Sequence, residues 1–352
     1  MKSERKTILV NRADGLGQRL KYLVSGMYLA DLLGFDFKLH WPDSTYSEQF
    51  HSIVSSEDFF EPEFVQRSIV SAKEAAILSK LPRLDRLESD SRTVLNANNL
   101  KGIFCNKLLS EAGIEPDVSK MSEIYWNLPL HDNFRWILDN ARAFAIEDNA
   151  TALHLRGGDI IYGTYRHFSR FQNKVLPISV AKLLARESHD AGKQLLVFAQ
   201  DAEIIRELRK TSNCLMASDL AADLDLDSNQ LALFEMSLLM RCKTVISGNS
   251  GFAEISALVT GAEMKDYRTL LPASEIAATL AADLADSSTS YNDLHRAFLL
   301  YLQGSYLNPR QASDALPNPI IESFSEAWRL DSSNGLYPFM LAVQHSACGE
   351  LD

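Results

Sequence analysis

The chain has 352 residues, 46% of them hydrophobic and 23% charged, with a formal net charge of −11. That length is enough to bury the cores of two domains, and the acidic balance argues against a general nucleic-acid binder, which needs a basic surface. A local basic pocket stays open: Arg156, Arg166, His167, Arg170 and Lys174 cluster in sequence, and a solvated basic loop accounts for them equally well.

Residues 1–6 lead into Thr7-Ile8-Leu9-Val10, an apolar run too short for a secretory signal. No stretch approaches the roughly twenty apolar residues needed to span a bilayer. Cys105, Cys214, Cys242 and Cys348 are scattered without metal-ligand spacing, which predicts free thiols and a cytoplasmic protein. A buried strand at 8–10 is followed by the turn Asp14-Gly15-Leu16-Gly17-Gln18-Arg19, then by a helix over 20–33 with Gly34 beyond its end. A strand over 37–41 stops at Pro42. From 45 to about 122 the pattern weakens into short elements with a charged insertion at 86–92, and a helix follows over 130–145.

A second α/β series starts at Thr151. Strands are expected at 151–155, 194–199 and 244–247, and helices at 177–189, 202–210, 231–240 and 252–259. Such alternation implies a parallel sheet covered by helices. Beyond Ala285 a Ser/Thr-rich linker leads to helical segments. There Glu326-Ala327-Trp328-Arg329-Leu330-Asp331, Asn334-Gly335-Leu336 and Leu341-Ala342-Val343 resemble one degenerate tetratricopeptide-type hairpin, read as a helical appendage because such repeats need several copies to bury a core.

Three segments carry chemistry. In Ala152-Leu153-His154-Leu155-Arg156-Gly157-Gly158-Asp159 a strand runs into a turn, placing Arg156 at a strand's carboxyl end, where open α/β sheets bind ligands. A guanidinium there suits a pair of phosphate oxygens; an ordinary turn in which Arg156 pairs with Asp159 fits the octapeptide equally. His154 is either a satisfied core histidine or a donor to phosphate or sugar. The Asp14–Arg19 turn can offer a helix N-terminus to an anion, but its third glycine position falls on Leu20, so it is not the dinucleotide fingerprint. In Ser247-Gly248-Asn249-Ser250-Gly251-Phe252, Ser250 and the following N–H groups sit where a helix N-terminus would hold a diphosphate, or where a serine simply caps a helix.

Taken in order, the Gly-Leu-Gly-Gln-Arg turn, the His-Leu-Arg-Gly-Gly-Asp strand end, Asp201 after its strand and the late Ser-Gly-Asn-Ser-Gly-Phe resemble the fucosyltransferase superfamily of GT-B fold over roughly residues 8–265. This superfamily includes bacterial α-1,2- and α-1,6-fucosyltransferases and protein O-fucosyltransferases. The resemblance implies an α/β fold of two Rossmann-like domains facing a cleft, 1–148 on the acceptor side and 149–285 binding the nucleotide sugar, with a helical appendage at 286–352. It implies inverting transfer of L-fucose from GDP-fucose to a glycan or protein hydroxyl. Arg156 would contact the diphosphate, with Asp159 orienting it or touching the donor; these two are the catalytic candidates. Gly17, Gln18, Arg19, His154, Asp201, Asn249, Ser250, Gly251 and Phe252 would complete the donor site.

Many bacterial relatives carry a second arginine where this chain has Gly157, so Arg19 or Arg166 would have to offset the remaining phosphate charge. No Asp-x-Asp pair sits in a convincing turn, since Asp223, Asp225 and Asp227 lie in an acidic stretch, and metal independence is the expectation, with no cofactor beyond the donor. Asp14 and Asp159 are the candidate bases. No nucleic-acid partner is expected, and a protein partner would dock on the C-terminal helices. The competing readings are a non-catalytic nucleotide-sugar or protein-binding module of this fold, and a GT-B transferase using another nucleotide sugar.

Overall fold

Residues 7–42, 53–78, 94–96, 109, 113–211, 214–307 and 319–348 are described by a computed structural model. Cys105 and the charged insertion at 86–92 lie outside them. In chain order the strands are β1 Thr7–Asn11, β2 Asp36–His40, β3 Val94–Asn96, β4 Thr151–Leu155, β5 Leu195–Ala199, β6 Leu215–Met216, β7 Thr244–Ser247 and β8 Glu263–Asp266. The longer helices are α1 Leu16–Leu33, α2 Val118–Trp126, α3 Asp132–Ala143, α4 Ile178–Asp190, α5 Ala202–Thr211, α6 Ser228–Leu239, α7 Gly251–Thr260, α8 Ala273–Ala285, α9 Asp293–Tyr306, α10 Pro319–Leu330 and α11 Leu336–Ala347. Parallel strands joined by helices make the chain the α/β protein that the alternation predicted. No described helix is long and apolar enough to cross a membrane.

The chain divides into two compact units, Met1–Asp148 with Ala221–Lys243 and Gly251–Glu263, and Asn149–Leu220 with Thr244–Ser250 and Met264–Asp352. In the first, β1 is apolar and buried along Ile8, Leu9 and Val10, and it pairs in parallel with β2 and β3 in the order β2-β1-β3. Helix α1 begins one turn earlier than its periodicity suggests: Gly15 precedes it, so Gly17, Gln18 and Arg19 are helical. Its far end closes as expected on Gly34, whose φ of 67° is left-handed and whose N–H reaches the last carbonyls. Trp41, Phe59, Phe60, Phe64 and Phe134 pack ring against ring beside this sheet. Helix α6, capped by Asp227 in a capping box, packs on α3, and α7 packs on α1 and α2.

The second unit is built on a five-stranded sheet of order β6-β5-β4-β7-β8, in which β6, β5, β4 and β7 run parallel. Every residue of β4 and β5 is buried, as befits inner strands covered on both faces. The C-terminal helices share this core rather than forming one of their own. Phe298, Leu302, Phe324 and Tyr337 belong to the same apolar cluster as Leu153, Val197 and Ile246 of the sheet.

Candidate functional site

Hydrogen-bonding register brings three of the chemically loaded segments to one edge of the second unit's sheet. Leu155 of β4 lies opposite Ala199 of β5, and His154 lies opposite Ser247 of β7. Arg156, Asp201 and Gly248-Asn249-Ser250 therefore leave the carboxyl ends of three adjacent parallel strands. The chain runs outward from β4 to β5 and β6, then crosses to the other side of β4 to add β7 and β8. The carboxyl ends of β4 and β7 thus flank the point where strand order reverses, the place where open α/β sheets take their ligands.

Arg156 is oriented by its neighbour in the next helical turn. Its Nη2 donates to Asp159 Oδ2 at 2.6 Å and its Nε to Oδ1 at 3.3 Å, while Asp159 is almost wholly enclosed. The guanidinium is a quarter exposed, and its Nη1 has no partner among the described residues. The Arg156–Asp159 pairing common to the plain turn and to the orienting role is therefore present, with one edge of the guanidinium unclaimed. His154 is buried behind it. Burial, and then the charge of Arg156, push the imidazole down to about 3, so it is neutral near pH 7.

Asp201 spends one oxygen on α5, accepting the Glu203 N–H at 2.8 Å; among the described residues its buried Oδ2 has no hydrogen bond of good geometry, and the carboxylate lies near enough to the Tyr162 hydroxyl to add to burial in raising its pKa. Ser250 is 1% exposed, and its Oγ makes no hydrogen bond among the described residues, so it does not act as a plain helix cap. An unsatisfied buried hydroxyl costs about 1–3 kcal/mol. Asn249 is exposed, and its N–H donates to the Asn173 carbonyl at 2.9 Å.

The remaining predicted residues belong to the first unit. Gly17 lets α1 approach α7: a Cβ there would stand 3.0 Å from Phe252 Cα. The Gln18 side chain occupies the space a side chain on Gly251 would take. Buried Lys21 pairs with Glu254. Arg19 is 1% exposed; it donates to the carbonyls of Asp14 and Pro42, both at 2.7 Å, and lies 4.9 Å over the Trp41 ring. Arg166, the other source considered for extra positive charge, pairs with Asp331. Each candidate base is likewise engaged by an arginine, Asp14 by Arg12 at 2.5 Å and Asp159 by Arg156.

Two residues of chemical interest carry no sequence signal. Gln172 is 3% exposed, and neither carboxamide atom has a hydrogen-bond partner among the described residues; it lies on the segment that runs from β4 towards the Gly248 turn. Glu235, on a helix turn buried all round, is pushed up to about 7 by burial. Among the described residues no group of three or more His, Cys, Asp and Glu is placed to hold a metal, and Cys214, Cys242 and Cys348 are free thiols.

No protein-family profile and no curated protein matches the chain. Among solved structures it is similar to the fucosyltransferase NodZ from Bradyrhizobium, at 16% identity and a TM-score of 0.43, over 73% of this chain and 94% of that one. It is similar to POFUT1 in complex with GDP, at 12% identity and a TM-score of 0.38, over 75% of this chain and 98% of that one. It is also similar to a point mutant of Arabidopsis thaliana FUT1 in complex with GDP, at 12% identity and a TM-score of 0.41, over 75% and 70% of the two chains.

Proposed function

We propose that the chain is a metal-independent, inverting glycosyltransferase that moves L-fucose from GDP-β-L-fucose to a hydroxyl of a glycan or protein. Fucose and guanine enter this reading through the motif resemblance. The nucleotide-diphosphate part rests on one observation: Arg156 and the Asn249–Ser250 turn converge where the parallel sheet reverses its strand order.

In this reaction the bond from the sugar's anomeric carbon to the diphosphate breaks, and negative charge gathers on the departing phosphate oxygen. Arg156 offers the free edge of its guanidinium to that charge, while Asp159 fixes the plane in which it points. Asn249 and Ser250 add neutral donors from β7, and neutral His154 adds a hydrogen-bonding group without a further charge. The acceptor hydroxyl oxygen attacks the opposite face of the sugar as the bond to GDP breaks, and the hydroxyl releases its proton to solvent; the attack inverts the anomeric centre.

Isothermal titration of GDP, GMP, guanosine and UDP tests the reading. GDP binds tightest, and Arg156→Ala weakens it about 10- to 100-fold, the worth of a charge-assisted hydrogen bond or two, while leaving guanosine binding unchanged. A protein that ignores all four ligands refutes the reading. GDP release from GDP-fucose with candidate acceptors then separates transfer from the alternative, a binding module without activity.

A further inference from the structure

The segment 162–175 leaves the Arg156 turn and ends beneath the Gly248 turn, so it spans from β4 to β7 across the point of strand reversal. Its far end is fixed by the Asn249 N–H to Asn173 carbonyl bond and by the bare backbone of Gly248, where a Cβ would stand 2.5 Å from the Lys174 carbonyl carbon. Its near end and middle are held by the C-terminal helices. The Tyr162 hydroxyl lies within 3.5 Å of Glu203, Asn292 and His295, the last of these on α9.

Arg166, about a third of the way along, folds back onto the carbonyls of Tyr162 and Gly163 and reaches the α10–α11 turn. There its Nε donates to Asp331 Oδ2 at 3.3 Å and its Nη2 to Ser333 Oγ at 3.0 Å. Asn334, fully enclosed, returns a bond from its Nδ2 to the Arg166 carbonyl at 3.2 Å. Asp331 is itself 4% exposed and accepts from Ser333 Oγ through its other oxygen. This turn clasps one arginine from both its backbone and its side chain, and its carboxylate meets the only cation that segment sends to it among the described residues.

We propose that Asp331 is a positioning residue for the nucleotide-diphosphate site. By holding Arg166 it fixes the 162–175 segment across the strand reversal, and so sets the Asn249–Ser250 turn in place against Arg156. The proposal rests on the function argued above for that edge, and it gives the C-terminal helices a part in donor binding. Asp331 touches no donor atom; it acts through the segment it holds.

Two measurements on the full chain test it separately. Amide hydrogen exchange without nucleotide reads the segment itself: in Asp331→Ala, exchange quickens within 162–175 and stays as in the parent over β4 and β5. Titration with GDP reads the site: affinity falls about 10- to 100-fold, the order expected when one or two donors no longer reach the diphosphate. Asp331→Glu restores most of the binding, and Arg166→Ala combined with Asp331→Ala is no worse than either alone, as expected of two ends of one link. Asp331→Asn keeps the side chain's shape if the alanine variant does not fold. Glu326→Ala, which breaks only an exposed pair with Arg329 on the same helix, changes neither readout.

Unchanged exchange in 162–175 overturns the proposal, and so does a loosened segment with unaltered GDP affinity. Equal effects from Glu326→Ala would reduce Asp331 to general support of the tail. A parent protein that binds no GDP refutes the proposed function, and the exchange result still decides whether Asp331 holds the segment.

Discussion

His154 and Glu235 are buried groups whose titration works in opposite directions on the fold. The imidazole is held at about 3 in the folded chain against 6.5 in the unfolded one. Its contribution is complete above pH 6.5 and is lost as pH falls from there towards 3, because the unfolded chain takes up a proton that the folded one refuses. The carboxyl is held at about 7 against 4.5, so its contribution is complete below pH 4.5 and is lost as pH rises to about 7. Urea midpoints measured across this range should respond accordingly: His154→Gln flattens the acid limb, and Glu235→Gln flattens the fall towards neutrality. Parallel curves for parent and variants would show that neither group is buried as described. Arg156 illustrates how far a motif can be read at this scale. The sequence marked it as a strand-end cation, but whether Asp159 consumed it depended on side-chain geometry, and one edge of the guanidinium is left over.

Within the second unit's sheet the inner strands are legible and the edges are not, whereas β2, an edge strand of the first unit expected at 37–41, lies at Asp36–His40. β4 and β7 fall at the expected 151–155 and 244–247, because a run of buried, strand-favouring residues bounded by glycine or charge has few other solutions. β6 is two residues long and β8 reads Glu-Met-Lys-Asp, so neither has an apolar pattern to detect. Periodicity misses the first turn of α1 because Gly17 is a poor helix former; packing against α7, where a Cβ at 17 would stand 3.0 Å from Phe252 Cα, outweighs that propensity. Glycine substitutions test this level directly. Gly248→Ala must push away the backbone of Asn173 and Lys174, which would lie 2.5–2.6 Å from its Cβ. Overpacking of this kind costs about 1–3 kcal/mol. Gly335→Ala meets nothing within 4 Å and should be neutral or stabilising by a few tenths to about 1 kcal/mol. Thermal melts of the two variants give the comparison, and equal melting temperatures would contradict the packing at 248.

For the whole molecule, the C-terminal helices are part of the core and not an ornament on it. Removing residues 293–352 strips Phe298, Leu302, Phe324 and Tyr337 from the cluster that includes Leu153, Val197 and Ile246. The truncated chain should lose cooperative unfolding and bind the dye ANS, as a protein with an opened core does. A sharp melt close to that of the full chain would show instead that the sheet is stable without them. The helical periodicity of this tail was visible in the sequence, since each helix records its own apolar face. What that face packs against was not.

Local periodicity, and the choice of residues that tolerate a turn, already specify the α/β class, the inner strands and the glycine-flanked strand ends that carry Arg156 and Ser250. That Arg19 serves carbonyls, that Arg166 belongs to Asp331 and that the tail shares the sheet's core emerge in the folded chain alone. Each of those outcomes is a choice among distant partners, and burial and hydrogen-bond geometry make that choice only once the chain has folded.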